Sequence, residues 1–200
     1  SALLALRPGP DWSDVVRPQD ACPVLRLPRR VDELALLAAP RLLRDLDAAR
    51  RRALRLGGVD VRVATADDLA EVLDALFRLR AARFSRLPRP RALPDETARR
   101  FHAEAAAGLL RLGALRLYTL RLGGTIAAVL YAFRERNRVA AYLGGFDPAL
   151  RRSSPGGLVL RAAIEDAILS GASEFDFLGG RDPYKYRWGA SDEPLLCRSL

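Results

Sequence analysis

The stretch GGFDPALRRSSPGG, Gly144 to Gly157, ends a run of strand-like sequence and opens a helix. Gly144 and Gly145 at a strand end invite a bulge, which would free backbone amides from the ladder. Ser153 and Ser154 suit a helix cap, and Pro155 suits the first helical turn. Gly156 and Gly157 permit close backbone approach. Arg151 and Arg152 bring positive charge to the same turn. A helix N-terminus with small residues, free N–H groups and arginines fits a phosphate or pyrophosphate. The same residues also describe a well-capped helix with solvated arginines.

Working outward, LRLYTLRLGGTIAAVLYAFRERNRVAAYLGG reads as a three-stranded meander. Its strands are 115–122, 125–134 and 138–143, with a hairpin turn at Gly123-Gly124. Downstream, a helix over 156–170 buries Leu158, Ala162, Ile164, Ala167 and Ile168, and Gly171 stops it. EFDFL at 174–178 is a further strand. Strand, helix and strand in this order imply a parallel pair joined by a right-handed crossover. Upstream, VDELALL at 31–37 is a helix stopped by Pro40. A helix over 41–55 follows, with Leu42, Leu43, Leu46, Ala49, Ala53 and Leu54 on one face. Arg41, Arg44, Arg51, Arg52 and Arg55 lie on the other. Then come a strand at 59–64, a helix at 66–84 capped by Thr65, a loop at 86–94, and a helix from Asp95 to 111. Residues 1–30 are irregular and proline-punctuated, with a short strand at 23–27. The whole is α+β or α/β, with a mixed sheet flanked by helices.

Composition sets the bounds. Half of the 200 residues are hydrophobic and mean hydropathy is near zero, as in ordinary globular domains. No apolar run approaches the roughly 20 residues needed to span a membrane. The first residues lack the basic region of a signal peptide. Cys22 and Cys197 stand far apart without a partner motif, which fits a reducing, cytoplasmic setting. There is no methionine even at position 1, so the chain reads as part of a longer protein. The net charge of +9 raises nucleic acid, a membrane surface or an anionic ligand as partners. It comes almost wholly from arginine, whose GC-rich codons supply a second explanation. No GxSxG elbow and no Walker-type phosphate loop are present. His102 is the sole histidine and reads as a surface or boundary residue of its helix, so no metal site is expected. Lys185 is the only lysine, set between Tyr184 and Tyr186 in GGRDPYKYRW. A lysine kept in an arginine-writing chain suggests a task that a compact ammonium performs and a planar fork does not.

FDPALRRSSPGGLVL resembles the cofactor segment of the Gcn5-related N-acetyltransferases (GNAT), in which an R/Q-x-x-G-x-G/A loop opens a helix after a strand. Here the match is Arg151-x-x-Ser154-x-Gly156, with serine in place of the first glycine. Together with LP at 27–28, the arginine-rich helix, FDP, SPG, FDFLGG and YKYRW, it resembles a GNAT subgroup associated with cellulose or exopolysaccharide biosynthesis. That subgroup is related to the Fem-type aminoacyl transferases of peptidoglycan cross-bridges. The likeness covers roughly residues 22–197. The subgroup usually has a preceding GNAT-like half, so residues 1–30 are expected to be its remnant or tail. Residues 31–200 are then the GNAT-like domain.

The resemblance implies a mostly antiparallel sheet whose fourth and fifth strands, here 138–143 and 174–178, splay to admit pantetheine. Backbone groups of Leu143, Gly145 and Phe146 would pair with it, and the amide after the bulge would polarise the thioester carbonyl. Arg151, Arg152, Ser153, Ser154, Gly156 and Gly157 would hold the pyrophosphate. Tyr184, or alternatively Tyr186, would protonate the departing thiolate. Lys185 would hold a phosphate, an acidic acceptor or developing negative charge. Asp176, Glu135, Asp147 or an ordered water would serve as base. Tyr142 and Trp188 read as core. The implied activity is an acetyl-CoA (or other acyl-CoA) dependent N- or O-acetyltransferase acting by direct transfer on a small-molecule or glycan acceptor. Envelope polysaccharide metabolism is the implied setting. Two alternatives stand beside it: a Fem-type transferase using charged tRNA, and a non-catalytic GNAT-fold scaffold. Either the missing half completes the site or the chain pairs with itself as a homodimer.

Overall fold

The structure, a computed structural model, describes residues 15–55, 57–84 and 96–199. The expected loop at 86–94 and the Asp95 cap lie outside them. In chain order the described elements are β1 (Val15–Arg26), α1 (Leu34–Leu37), α2 (Pro40–Leu54), β2 (Val59–Val63), α3 (Leu69–Phe84) and α4 (Glu96–Arg111). They continue with β3 (Leu115–Leu122), β4 (Thr125–Glu135), β5 (Arg138–Phe146), α5 (Pro155–Leu169), β6 (Glu174–Asp176), α6 (Pro183–Tyr186) and β7 (Ser191–Ser199). The strands form one seven-stranded sheet in the order β2-β3-β4-β5-β6-β1-β7. Neighbours are antiparallel except β5 and β6, which run parallel and are joined through α5.

The meander follows from its residues. Gly123 and Gly124 both adopt positive φ and make the tight turn between β3 and β4. Alternate side chains of these strands then point to opposite faces. Leu117, Val129 and Tyr131 pack against Val72, Leu76 and Leu79 of α3. Tyr118, Leu120, Leu130 and Ala132 pack with Leu158 and Ile164 of α5 and with Leu42 and Leu46 of α2. Coverage of both faces explains why β4 reads as a continuous apolar run. The arginines at 41, 44, 51, 52 and 55 lie exposed on the far side of α2.

Several features differ from the sequence expectations, among them the strand β7, where no element was expected. Residues 15–26, read as irregular apart from 23–27, form the twelve-residue strand β1. It lies between β6 and β7 and pairs along β7 from Val15 to Val24. Helix α3 begins at Leu69, because Asp68 accepts hydrogen bonds from the amide and hydroxyl of Thr65 in the turn before it.

Arg138 anchors the parallel pair. Its guanidinium meets Glu174 and Asp176 of β6 and Glu193 of β7. Arg26 of β1 bonds the same two glutamates, Glu174 and Glu193. Four strands thus share one ion-pair network at this end of the sheet, which is worth more than isolated surface pairs.

On the other flank β5 presses close to α3. A Cβ added at Gly145 would stand 3.0 Å from Leu76 O and 3.1 Å from Arg80 N. Those are helix backbone atoms and cannot swing aside. Gly145→Ala is therefore expected to lower the unfolding free energy by about 1–3 kcal/mol, the usual range for overpacking. A urea midpoint equal to that of the parent would contradict this close approach.

Candidate functional site

The sheet opens between β5 and β6. They share only the pairs Arg138–Glu174, Val139–Phe175 and Ala140–Asp176, while β5 continues to Phe146. The outer edge of β5 is left beyond that point. Asp147 N donates to Ala127 O, which marks Ala127–Asp147 as a hydrogen-bonded pair of the antiparallel ladder. Two residues back, Gly145, expected to pair with pantetheine, instead directs its backbone groups to Val129 of β4, and by the same alternation Leu143 directs its own to Tyr131. The intervening residues Gly144 and Phe146 direct theirs the other way, into the opening. The Gly144 carbonyl there accepts a hydrogen bond from Arg80 Nη1 of α3 at 3.1 Å.

The bulge expected at Gly144-Gly145 lies two residues earlier. Tyr131 faces Leu143 and Ala132 faces Ala141, so Tyr142 is the extra residue. Register fixes it there, since Gly144 and Gly145 keep their partners Leu130 and Val129. Tyr142, read as core, is 44% exposed. The first amide past the bulge belongs to Leu143, whose side chain packs on the α3 face.

At the mouth of the opening lies the turn into α5. Asp147 accepts from Ala149 N and starts a 3-10 turn over Pro148–Ser153. Ser154 follows in the left-handed region, φ 45° and ψ 50°. That conformation costs a non-glycine residue about 1–2 kcal/mol and gives a physical reason for a glycine in the family pattern. The Ser154 amide donates to Arg151 O, so it is already engaged within the turn. Pro155 has no N–H. The amides of Gly156 and Gly157 remain in the first turn of α5, where no intrahelical acceptor exists. Both glycines also serve packing. A Cβ at Gly156 would meet the Phe146 ring at 3.0 Å, and one at Gly157 would meet Leu46 Cδ2 at 2.7 Å. The Arg83 guanidinium lies 5.0 Å from the centre of the Phe146 ring. Arg151 and Arg152 are exposed, Ser153 is buried, and Arg52 Nε donates to Arg152 O.

Beyond β6 the chain leaves the sheet. Phe177 N still bonds Pro23 O of β1, and Leu178 then turns with φ 55° while its amide donates to Asp176 Oδ1. Lys185 is 3% exposed, and its Nζ donates to the carbonyls of Leu178, Gly179 and Gly180 at 3.1, 2.8 and 2.8 Å. Expected to hold a phosphate, an acidic acceptor or developing charge, it instead directs all three donors to backbone. This geometry suits a lysine. Three N–H bonds diverging from one nitrogen match three successive carbonyls, whereas a planar guanidinium does not. Burial lowers its pKa, an effect opposed mainly by Asp182. Tyr184, one residue earlier, is half exposed and meets Phe177 edge to face. Burial and the Asp182 carboxylate raise its phenol pKa, so it stays protonated at neutral pH. Tyr186 donates to Asp192 Oδ1. Trp188 is buried in the core.

The carboxylates considered as bases divide unevenly. Asp176 is buried against Arg138 and Leu178 N, and Asp147 caps its turn. Glu135 ends β4 beside a cavity of about 250 Å³ at the closed end of the β5–β6 pair. A second cavity, about 630 Å³, is lined by Arg78, Arg99 and Arg121 with Glu71 and Asp74, and includes no residue of β5 or α5. His102, read as a surface or boundary residue, is part-buried. Its ring lies 6.0 Å, centre to centre, from the bulge residue Tyr142. Nothing local to α4 announces that meeting, although a lone histidine was the available signal.

The family model for the acetyltransferase (GNAT) domain matches residues 40–186. Among solved structures, FemX superposes with a TM-score of 0.68 at 13% identity, over 88% of this chain and 60% of that one. A conserved protein of unknown function from Bacteroides thetaiotaomicron gives 0.65 at 12% identity, over 94% and 62%. L-PGS from Bacillus licheniformis gives 0.60 at 9%, over 94% and 62%. The chain thus spans about three fifths of each of these, and at such identities the likeness is one of fold. No curated protein matches the sequence.

Lys185→Arg and Lys185→Met are both expected to destabilise the protein by about 1.5–3 kcal/mol, the range for hydrogen bonds to a charged group. Thermal unfolding measures this. An arginine variant as stable as the parent would show that the three-carbonyl geometry does not discriminate.

Proposed function

The chain belongs to the family of GNAT acetyltransferase domains, and on that premise we propose that it moves an acyl group from an acyl-CoA, acetyl-CoA first, directly to an acceptor amine or hydroxyl. One observation carries this reading: β5 and β6 pair over three residues and then part beside the first turn of α5. The opening presents Gly144 and Phe146 backbone to an extended amide chain such as pantetheine. The amides of Gly156 and Gly157 suit a diphosphate at its mouth. Arg151 and Arg152 supply charge from the surface.

Each group then has a task. The Gly144 amide, the first past the Tyr142 bulge to face the opening, polarises the thioester carbonyl and stabilises the oxyanion formed on attack. Tyr184, held protonated, gives its proton to the leaving thiolate. Lys185 fixes the segment that carries Tyr184. No covalent enzyme intermediate is needed. We place the acceptor among small molecules or glycans, the setting in envelope polysaccharide metabolism, and the chemistry in the cytoplasm. No helix among the described residues is long and apolar enough to cross a membrane. Pairing of two copies is the proposed route if the site needs completing.

A second reading, aminoacyl transfer from charged tRNA, draws support from the FemX-like fold and from the exposed arginines of α2.

Acetyl-CoA titration separates the two. At 100 times Kd, binding to one site adds about 2.7 kcal/mol of stability. In a domain of this size that raises Tm by roughly 5–10 °C. Absence of both heat in calorimetry and any Tm shift would reject the acyl-CoA reading. Affinity for tRNA falling steeply and linearly in log salt would favour the second.

A further inference from the structure

We propose that His102 is the group that takes the proton from the attacking acceptor. This rests on the acyl-transfer reading and deepens it. His102 lies on α4, whereas the acyl donor site was built from β5, β6 and α5.

The geometry starts with the bulge. Tyr142 is expelled from the β4–β5 ladder and stands at the edge from which the sheet opens. The His102 ring lies over that point, with centres 6.0 Å from both Tyr142 and Tyr131 and 5.6 Å from Phe77. Phe101 flanks it at 5.5 Å. The imidazole is half buried among rings, yet among the described residues neither of its nitrogens has a hydrogen-bond partner. Among the described residues no buried side-chain nitrogen or oxygen lacks a partner, so the His102 nitrogens are reached by solvent. A structural histidine in an aromatic cluster ordinarily ties down at least one nitrogen. Here both are open to solvent and to a molecule bound beside the ring.

The charge environment suits a base. The group of α3 that acts on the ring is Arg80, which also binds the Gly144 carbonyl at the opening. From β4 and β5 the ring meets the phenols of Tyr131 and Tyr142, and α4 itself contributes Phe101. Burial first, and Arg80 second, lower the imidazole pKa below its usual value. The ring is therefore unprotonated at neutral pH and able to accept. The carboxylates Asp176 and Asp147 are held by other partners.

The step balances. The acceptor nitrogen or oxygen bonds to the thioester carbonyl carbon, and its proton passes to His102. The carbon–sulfur bond breaks, the sulfur takes a proton from Tyr184, and solvent returns both side chains to their starting states. The products are the acylated acceptor and free CoA thiol.

A single histidine makes the test direct. The imidazole resonances are titrated by NMR in the presence and absence of acetyl-CoA, with calorimetry reporting binding. Thiol release from acetyl-CoA with hydroxylamine as acceptor is followed against pH. The proposal expects bound acetyl-CoA to shift the imidazole signal. It expects kcat/KM to fall as pH drops through the measured imidazole pKa. H102Q and H102N should lose about 100-fold or more in kcat with KM kept, lose that pH limb, and retain acetyl-CoA binding. Added imidazole should restore part of the rate to H102A. A pH limb that survives in H102Q, or bound acetyl-CoA that leaves the imidazole signal unmoved, overturns the role of His102 while acyl transfer stands. Failure of the parent protein to bind acetyl-CoA at all overturns both.

Discussion

The ammonium of Lys185 gathers the carbonyls of Leu178, Gly179 and Gly180, and this contact governs where the sheet parts. A strand that continued straight would pair its carbonyls with β5. Turned instead toward one buried cation, they leave the ladder, and Leu178 takes the left-handed conformation that the turn requires. Asp176 secures the near side by accepting from the Leu178 amide. The outer edge of β5 is then left for something else to pair with. Removing the buried partner leaves three carbonyls unsatisfied, and their desolvation is then uncompensated. The opening is thus a built feature of the fold.

The opposite wall is set by glycines that lack room for a side chain. Gly145 brings β5 against the backbone of α3, and Gly157 brings the start of α5 against Leu46 of α2. These contacts hold the turn, the opening and the Arg80 side chain in one frame. Ser154 shows the accompanying strain: it occupies a left-handed position that glycine would take without cost.

Local patterns made much of this legible. The meander, the glycine turn, the crossover helix and the parallel return strand all announce themselves within 10 to 20 residues of sequence, because periodicity and turn chemistry are local. What escaped was non-local. Strand β1 carries Pro18, Pro23 and Asp20, which argue against a strand, yet it is stabilised by partners near the far end of the chain. The position of the bulge was drawn to Gly144-Gly145 by conformational freedom, whereas register places it at Tyr142. Lys185 was noticed for its rarity and read as a ligand for anions. Its surroundings of carbonyls follow from a loop whose course depends on tertiary packing. His102 gave no local sign of its neighbours, since its ring meets Tyr131 of β4 and Tyr142 of β5.

The placement of β1 has a consequence for biosynthesis. Its neighbours in the sheet, β6 and β7, come late, and Arg26 meets Glu174 across 148 positions of sequence. At 5–20 residues per second, the ribosome needs roughly 7–30 seconds to make the partner. During that interval an apolar segment containing Val24 and Leu25 waits without either flanking strand. Such a nascent edge is a natural client for a chaperone, and the growing polypeptide must defer closing this sheet until β6 and β7 have emerged.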